Sequence, residues 1–149
     1  MQITYKGDYS LKAILDLAIH YGQEVVSIHD LAKRIDAPVK FLEQVLLDLK
    51  KGGFVDSKRG VNGGYYLSKP PRDISVGEVA RFVDGPIEPV LCANTKSDYK
   101  GCTDIHHCVL RDIWVDVAKA TSNIIANVSF QDLVDKNKAT FSKSYLYNI

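Results

Sequence analysis

The spacing of the apolar residues changes at residue 54, and this change constrains the fold more than any other feature of the sequence. Before it, apolar residues recur at helical spacing and predict helices over about 8–21, 28–35 and 38–51. After it, FVDSKRGVNGGYYL predicts a β-hairpin, with three glycines that let the tip take positive φ. Three helices followed by a hairpin is the order of a winged helix-turn-helix, which binds the major groove of DNA.

The rest of the chain is predicted to be helical, apart from one polar stretch. Ser75 and Glu78 have capping-box spacing and begin a helix over about 76–84. A long amphipathic helix follows over about 107–127, and Ser129 with Asp132 caps a short last helix before a loose tail. The fold class is therefore mostly α with a small β-hairpin wing. The domains are predicted as a DNA-binding domain at 1–84, a cysteine-containing loop at 85–107, a long helix at 108–128 and a C-terminal helix and tail at 129–149.

Composition narrows the class of protein. The 149 residues are 46% apolar, which is enough for a core, and no apolar run approaches the length that crosses a membrane. The N-terminus, MQITYKGDYSLKA, lacks the apolar centre of a signal peptide, so a cytoplasmic location with reduced thiols is expected. An odd number of cysteines, three, also argues against a closed disulfide framework.

The charge is unevenly distributed although the net charge is only +1. Residues 33–72 hold nine basic and four acidic residues, whereas residues 73–116 hold four basic and eight acidic ones. A basic block over the predicted helix-turn-helix and wing favours binding to a polyanion such as double-stranded promoter DNA. A solvated surface would explain the charge alone, but the order of helices, turn and basic wing favours DNA.

Candidate DNA contacts lie at the start of the second helix, on the third helix and on the wing. Lys40 suits phosphate or guanine, Gln44 suits adenine and Glu43 can accept a hydrogen bond from cytosine N4. Arg59 at the wing tip can enter a narrow minor groove, where negative potential is concentrated. The full set of predicted contacts is Ser27, Lys40, Glu43, Gln44, Lys51, Lys58, Arg59 and Asn62.

Three motifs that occur in order resemble the Rrf2 family of bacterial winged-helix regulators over about residues 1–128. They are the FLEQ start of the third helix, the wing GFVDSKRGVNGGY and the helix start ISVGEV. Together they are specific, although each alone is weak. The resemblance implies a homodimer built on the long helix that follows the cysteine loop.

The sequence supports a dimer independently of the resemblance. The long helix has an apolar stripe that a monomer of this size could not easily bury, so it is expected to meet a second copy. The predicted interface residues are Ile113, Trp114, Val117, Ala120 and Ile124.

All three cysteines, Cys92, Cys102 and Cys108, lie in LCANTKSDYKGCTDIHHCVL. Thiolates bind iron–sulfur clusters and zinc alike, so the residues alone leave both open, together with buried structural thiols. The family resemblance implies a cluster on these three cysteines. The family commonly has five residues between successive cysteines, and Cys102–Cys108 keeps that spacing, but the first interval is four residues longer.

The resemblance also bears on the fourth ligand. Related cluster regulators often have a histidine three residues after the third cysteine, where this chain has Arg111. Nitric-oxide-sensitive members instead use an aspartate near the start of helix one, contributed by the other subunit, and Asp8 occupies that position. The predicted order is therefore Asp8, then His107, then His106, although an acid at that position is also a normal helix cap. Similarity to the aspartate-ligated members favours [4Fe–4S], with [2Fe–2S] as the other option.

Together these features predict a homodimeric, iron–sulfur-dependent transcription regulator that senses nitric oxide, redox state or iron status. The alternative is a winged-helix regulator without iron, with structural zinc or thiol-based sensing. An enzyme is not expected, because the sequence has no C-x-x-C pair and no nucleotide fingerprint between strand and helix.

Overall fold

The protein is a bundle of helices with one small antiparallel hairpin. The computed structural model describes residues 3–93, 99, 101–102 and 107–146. The elements run α1 (Tyr5–Ile19), α2 (Ile28–Arg34), α3 (Val39–Lys51), β1 (Val55–Lys58), β2 (Gly64–Leu67), α4 (Val76–Asp84), α5 (Val109–Ala126) and α6 (Phe130–Leu146). Short 3-10 turns lie at Pro71–Asp73 and Leu91–Ala93. This architecture confirms the predicted fold class.

The core of the protein lies between α1, α2, α3 and the hairpin, and extends to α4 and the start of α6. Helix α3 buries the stripe that its apolar spacing predicts, at Leu42, Val45, Leu46 and Leu49. β1 pairs with β2 in a register that sets Val55 opposite Leu67, and both are buried. Val26 adds a bridge to Tyr65, which ties the hairpin to the chain before α2.

Helix ends follow the polar residues that satisfy free backbone groups. Ser75 and Glu78 form the predicted capping box, with reciprocal bonds of 3.1 and 2.8 Å, and α4 begins at the next residue. Helix α1 begins three residues before its predicted start, because the Thr4 hydroxyl accepts the Gly7 N–H at 3.0 Å.

The last helix differs most from expectation. Ser129 and Asp132 cap it as predicted, at 2.9 and 3.2 Å, but α6 has 17 residues rather than being short. Its first turns enter the core, where Phe130 is 1% exposed and Val134 4%. This burial against α1 stabilises a helix whose own sequence is largely polar. Residues 143–146 of the predicted loose tail are helical, and 147–149 lie outside the described residues.

Helix α5 has no fully buried residue within one chain. It packs on α4 and on the 91–93 turn. One side faces its own domain, where Arg81 Nη1 donates to Ser122 Oγ at 3.3 Å. Ile113, Val117, Ala120 and Ile124 lie on the opposite side at helical spacing, and Ile124 is 68% exposed.

Candidate nucleic-acid interface and cysteine segment

The exposed face of α3 carries the polar side chains that the sequence singles out. Lys40, Glu43 and Gln44 are exposed opposite the buried stripe, so the structure presents them together. Leu47 is 49% exposed on this same face. An apolar side chain there can contact a thymine methyl group. Leu47 was not predicted as a contact from the sequence. The available signal was that it is an apolar residue outside the buried stripe at 42, 45, 46 and 49.

An ion-pair network joins this helix to α1. Asp48 Oδ2 lies 2.7 Å from Lys6 Nζ, and Asp48 Oδ1 lies 3.1 Å from Lys51 Nζ. Hydrogen bonds from Lys6 and then from Lys51 lower the pKa of Asp48 to about 2. Lys51, a predicted DNA contact, therefore forms an ion pair with Asp48 in the absence of DNA.

Asp48→Asn is expected to lower the urea midpoint at neutral pH, and the difference from wild type should shrink on acidification. The folded-state pKa of about 2 lies below the ordinary value of 3.8, so the stabilisation is complete above pH ~4 and is lost as pH falls towards 2. Urea titrations at several pH values check this. Asp116→Asn is the control, because Asp116 is 81% exposed and lies 3.9 Å from Lys119. A difference that stays constant down to pH ~2 would contradict the assignment.

The wing presents its basic tip to solvent. Lys58, Arg59 and Asn62 are exposed, and Val61 is fully exposed. The prediction that the three glycines of the wing take positive φ is partly wrong, because among these three only Gly60 has positive φ, at 114°. A Cβ at Gly63 would lie 2.4 Å from the Lys58 carbonyl oxygen, and one at Gly64 would lie 2.3 Å from the Val26 carbonyl oxygen. Close backbone approach therefore requires glycine at these two positions.

Ser27 caps α2. Its hydroxyl accepts the Asp30 N–H at 3.1 Å and donates to the Asp30 carboxylate at 2.7 Å. A phosphate contact from this hydroxyl would have to replace the bond to Asp30, so the role of Ser27 in DNA binding stays a prediction.

The three cysteines are free thiols at different degrees of exposure. Cys92 lies half-buried in the 91–93 turn, Cys102 is exposed, and Cys108 is the half-buried residue before α5. Their chemistry suits an iron–sulfur cluster or zinc. Within the described ranges of this single chain, however, no three Cys, His, Asp or Glu side chains form a group that could hold a metal ion.

The candidate fourth ligands differ in their exposure and in the contacts that they make. Asp8 lies in the first turns of α1 but does not cap it, because Thr4 does. Its carboxylate pairs with Lys12 Nζ at 2.6 Å and is half-exposed. His107 is exposed, whereas His106 lies outside the described residues. Thr4 is therefore the N-cap, and Asp8 is an ordinary acidic residue of the first helical turn that pairs with Lys12.

Helix α1 connects Asp8 to α3, the recognition helix that carries the predicted base contacts, through a short series of contacts. Lys12 Nζ lies 5.4 Å from the centre of the Tyr9 ring, and that ring packs edge-to-face on Phe41 at 5.6 Å. The Tyr9 hydroxyl also donates to the Asp36 carbonyl at 3.4 Å, in the turn before α3. Asp8, Lys12, Tyr9 and Phe41 therefore form one continuous series of contacts between α1 and α3.

This arrangement of helices, wing and basic face has a counterpart among known proteins. A family model, Rrf2, described as an iron-dependent transcriptional regulator, matches residues 3–136. The chain belongs to the Rrf2 family. This confirms the resemblance drawn from the motifs of α3, the wing and α4.

Rrf2 relatives and solved structures match nearly the whole chain. An rrf2-like HTH-type transcriptional regulator from Rhodobacter capsulatus is 39% identical over 138 residues, covering 89% of this chain and 91% of that protein. The structure of T. potens IscR matches with a TM-score of 0.73 and 31% identity, covering 92% of this chain and 88% of that one. CymR, the global cysteine regulator of B. subtilis, matches with a TM-score of 0.76 and 28% identity, covering 91% and 98%.

The Rrf2 assignment establishes a DNA-binding transcriptional regulator with a winged-helix fold. The expectation that the protein is not an enzyme is confirmed, since its relatives are named as regulators. Among the helices of the described residues, none is long and apolar enough to cross a bilayer.

Proposed function

We propose that this Rrf2 regulator binds promoter DNA as a homodimer and holds an iron–sulfur cluster on Cys92, Cys102 and Cys108. The observation that carries the proposal is the position of three free thiols between a DNA-binding domain and the exposed helix α5. Asp8 of the partner subunit is the proposed fourth ligand, and [4Fe–4S] is the favoured cluster. His107 and then His106 are the alternatives, and [2Fe–2S] is the other cluster type.

A bound cluster would supply a metal centre that reacts with nitric oxide and with oxidants, and that depends on iron supply. The chain's own residues would convert this state into a change in DNA binding. In the structure the Asp8 carboxylate pairs with Lys12, and the Lys12 ammonium group lies over the Tyr9 ring. If Asp8 turns to another partner, Lys12 loses its carboxylate, and the Tyr9–Phe41 packing beside α3 changes with it. Cluster loss would thereby alter the position of the recognition helices.

Anaerobic purification followed by absorption spectroscopy and iron and sulfide analysis tests the proposal. The expected result is a coloured protein with iron and sulfide, whose spectrum and DNA affinity change on addition of nitric oxide or oxidant. Cys102→Ser should remove the colour and the cluster-dependent DNA binding together. A colourless protein with stoichiometric zinc would overturn the cluster proposal.

A second candidate is an Rrf2 regulator without iron that uses its thiols directly or holds structural zinc. One observation favours it: the fold also matches CymR, the global cysteine regulator of B. subtilis, and CymR of Staphylococcus aureus has been solved in an oxidized form. In this case Cys102→Ser would change the response to oxidants but leave a colourless protein with wild-type DNA affinity. The same purification therefore separates the two candidates.

Arg59→Ala is expected to weaken binding to the specific operator by about 10- to 100-fold, because it removes a base or minor-groove contact at the wing. Lys58→Ala should weaken binding to all sequences and reduce the slope of log K against log salt by about one. Fluorescence anisotropy at several salt concentrations measures both. Lys136→Ala on α6 is the control for loss of an exposed charge. Equal effects of Arg59→Ala on operator and random DNA would contradict specific readout.

A further inference from the structure

Arg111 occupies a position in α5 where a cation is electrostatically unfavourable. Cys108 is the residue before the helix, so Arg111 is the third helical residue, at the positive end of the helix dipole. Asp112, beside it, is the kind of residue this turn normally carries. A favourable contact of the side chain would offset this repulsion.

The compensating contact reaches back 19 residues along the chain. Arg111 Nε donates to the carbonyl oxygen of Cys92 at 2.9 Å, and Arg111 is half-buried. The Arg111 main-chain N–H donates to the Cys108 carbonyl at 3.0 Å. One residue therefore holds the backbone of the first cysteine through its side chain and that of the third through its main chain. The buried Ala93 anchors the same turn on the other side of Cys92.

We infer that Arg111 is a positioning residue that fixes Cys92 relative to the start of α5, and so sets the separation of the first and third thiols. Arginine is suited to this role because its guanidinium stays protonated and has donors only, so it cannot itself become a metal ligand. Its charge would also offset the negative charge of thiolates gathered beside it, which influences the reduction potential of a thiolate-bound cluster. The inference rests on the proposed function for the identity of the bound group, but not for the contact itself.

Three substitutions separate the hydrogen bond from the charge. Arg111→Met removes both, Arg111→Gln keeps a donor without the charge, and Arg111→Lys keeps the charge with a donor of different geometry. Lys119→Met is the matched control, because it removes an exposed cation from the same helix. Thermal unfolding of the full chain shows whether each variant keeps its core, which none of these positions enters.

Hydrogen–deuterium exchange of the segment 86–93 is the direct readout, on the full chain purified anaerobically, before and after treatment with a chelator. Arg111→Met should accelerate exchange in this segment about tenfold, as expected for loss of a charge-assisted hydrogen bond. Arg111→Lys should restore part of the protection, and Lys119→Met should have no effect. Exchange within twofold of wild type in Arg111→Met would overturn the inference.

The reduction potential of the protein with a bound cluster is a second readout. Arg111→Gln should shift the reduction potential of the bound cluster to more negative values, whereas Arg111→Lys should retain the wild-type potential. Accelerated exchange in Arg111→Met, in a protein that binds no cluster, would support the inference and overturn the proposed function. Unchanged exchange and wild-type cluster content in Arg111→Met would overturn the inference and support the proposed function.

Discussion

Replacing Ile113 and Val117 together with aspartate is expected to convert the proposed homodimer into a monomer. Its affinity for an operator with two half-sites should fall by about a hundredfold or more, because the two winged helices would no longer bind as one unit. By two-fold symmetry each substitution enters the interface twice, so four carboxylates would face an apolar contact. Sedimentation velocity measures the oligomeric state, and fluorescence anisotropy with operator DNA measures the affinity.

The geometry of α5 is the reason for this expectation. Its inner side, with Ser122 bonded to Arg81, is occupied by its own domain, whereas Ile113 and Val117 are 56% and 39% exposed on the other side. Trp114 is 38% exposed beside them. An apolar stripe of this length on an otherwise unburied helix is typical of a surface covered by a second copy.

Lys119→Asp is the control for the dimer experiment. Lys119 lies away from the apolar stripe on α5 and is 68% exposed, so this variant adds a carboxylate to the helix without placing it in the proposed interface. It should remain a dimer. A double aspartate variant that stays dimeric at micromolar concentration would show that α5 does not form the interface.

Local sequence signals predicted those parts of the fold that local interactions determine. The Ser75–Glu78 capping box marked the start of α4 at the correct residue, because two reciprocal hydrogen bonds define that end. The stripe of α3 was equally informative, since all four of its predicted apolar positions are buried. The length of α6 was not predictable in this way, because it depends on docking Phe130 against α1 rather than on helix propensity.

The candidate site shows the same difference between local and long-range interactions. Lys40, Glu43 and Gln44 could be assigned to one exposed face because helical spacing alone puts them there. The bond from Arg111 to the Cys92 carbonyl could not be anticipated, since it joins residues 19 positions apart through a loop without periodicity. The roles of Gly63 and Gly64 were missed for a similar reason, because they depend on which backbone lies opposite. The cysteine spacing indicated the chemistry of the donors but not their arrangement.

Phe130→Ala is expected to destabilise the protein by about 3–5 kcal/mol, because the side chain is 1% exposed and its removal leaves a cavity. For a chain of this size the melting temperature should fall by roughly 10 °C or more. The loss should also free the first turns of α6, since Phe130 and Val134 hold that helix in the core. Thermal unfolding followed by circular dichroism, at one fixed protomer concentration, measures the change.

The same chemical change at an exposed phenylalanine provides the matched control. Phe82 is 45% exposed, and its ring packs edge-to-face on Phe54 at 5.4 Å, so Phe82→Ala removes less buried area and should cost about half as much or less. Hydrogen–deuterium exchange of residues 130–140 then locates the effect. It should accelerate in Phe130→Ala and remain unchanged in Phe82→Ala. Equal melting temperatures for the two variants would mean that α6 contributes no more to the core than the surface ring of α4 does.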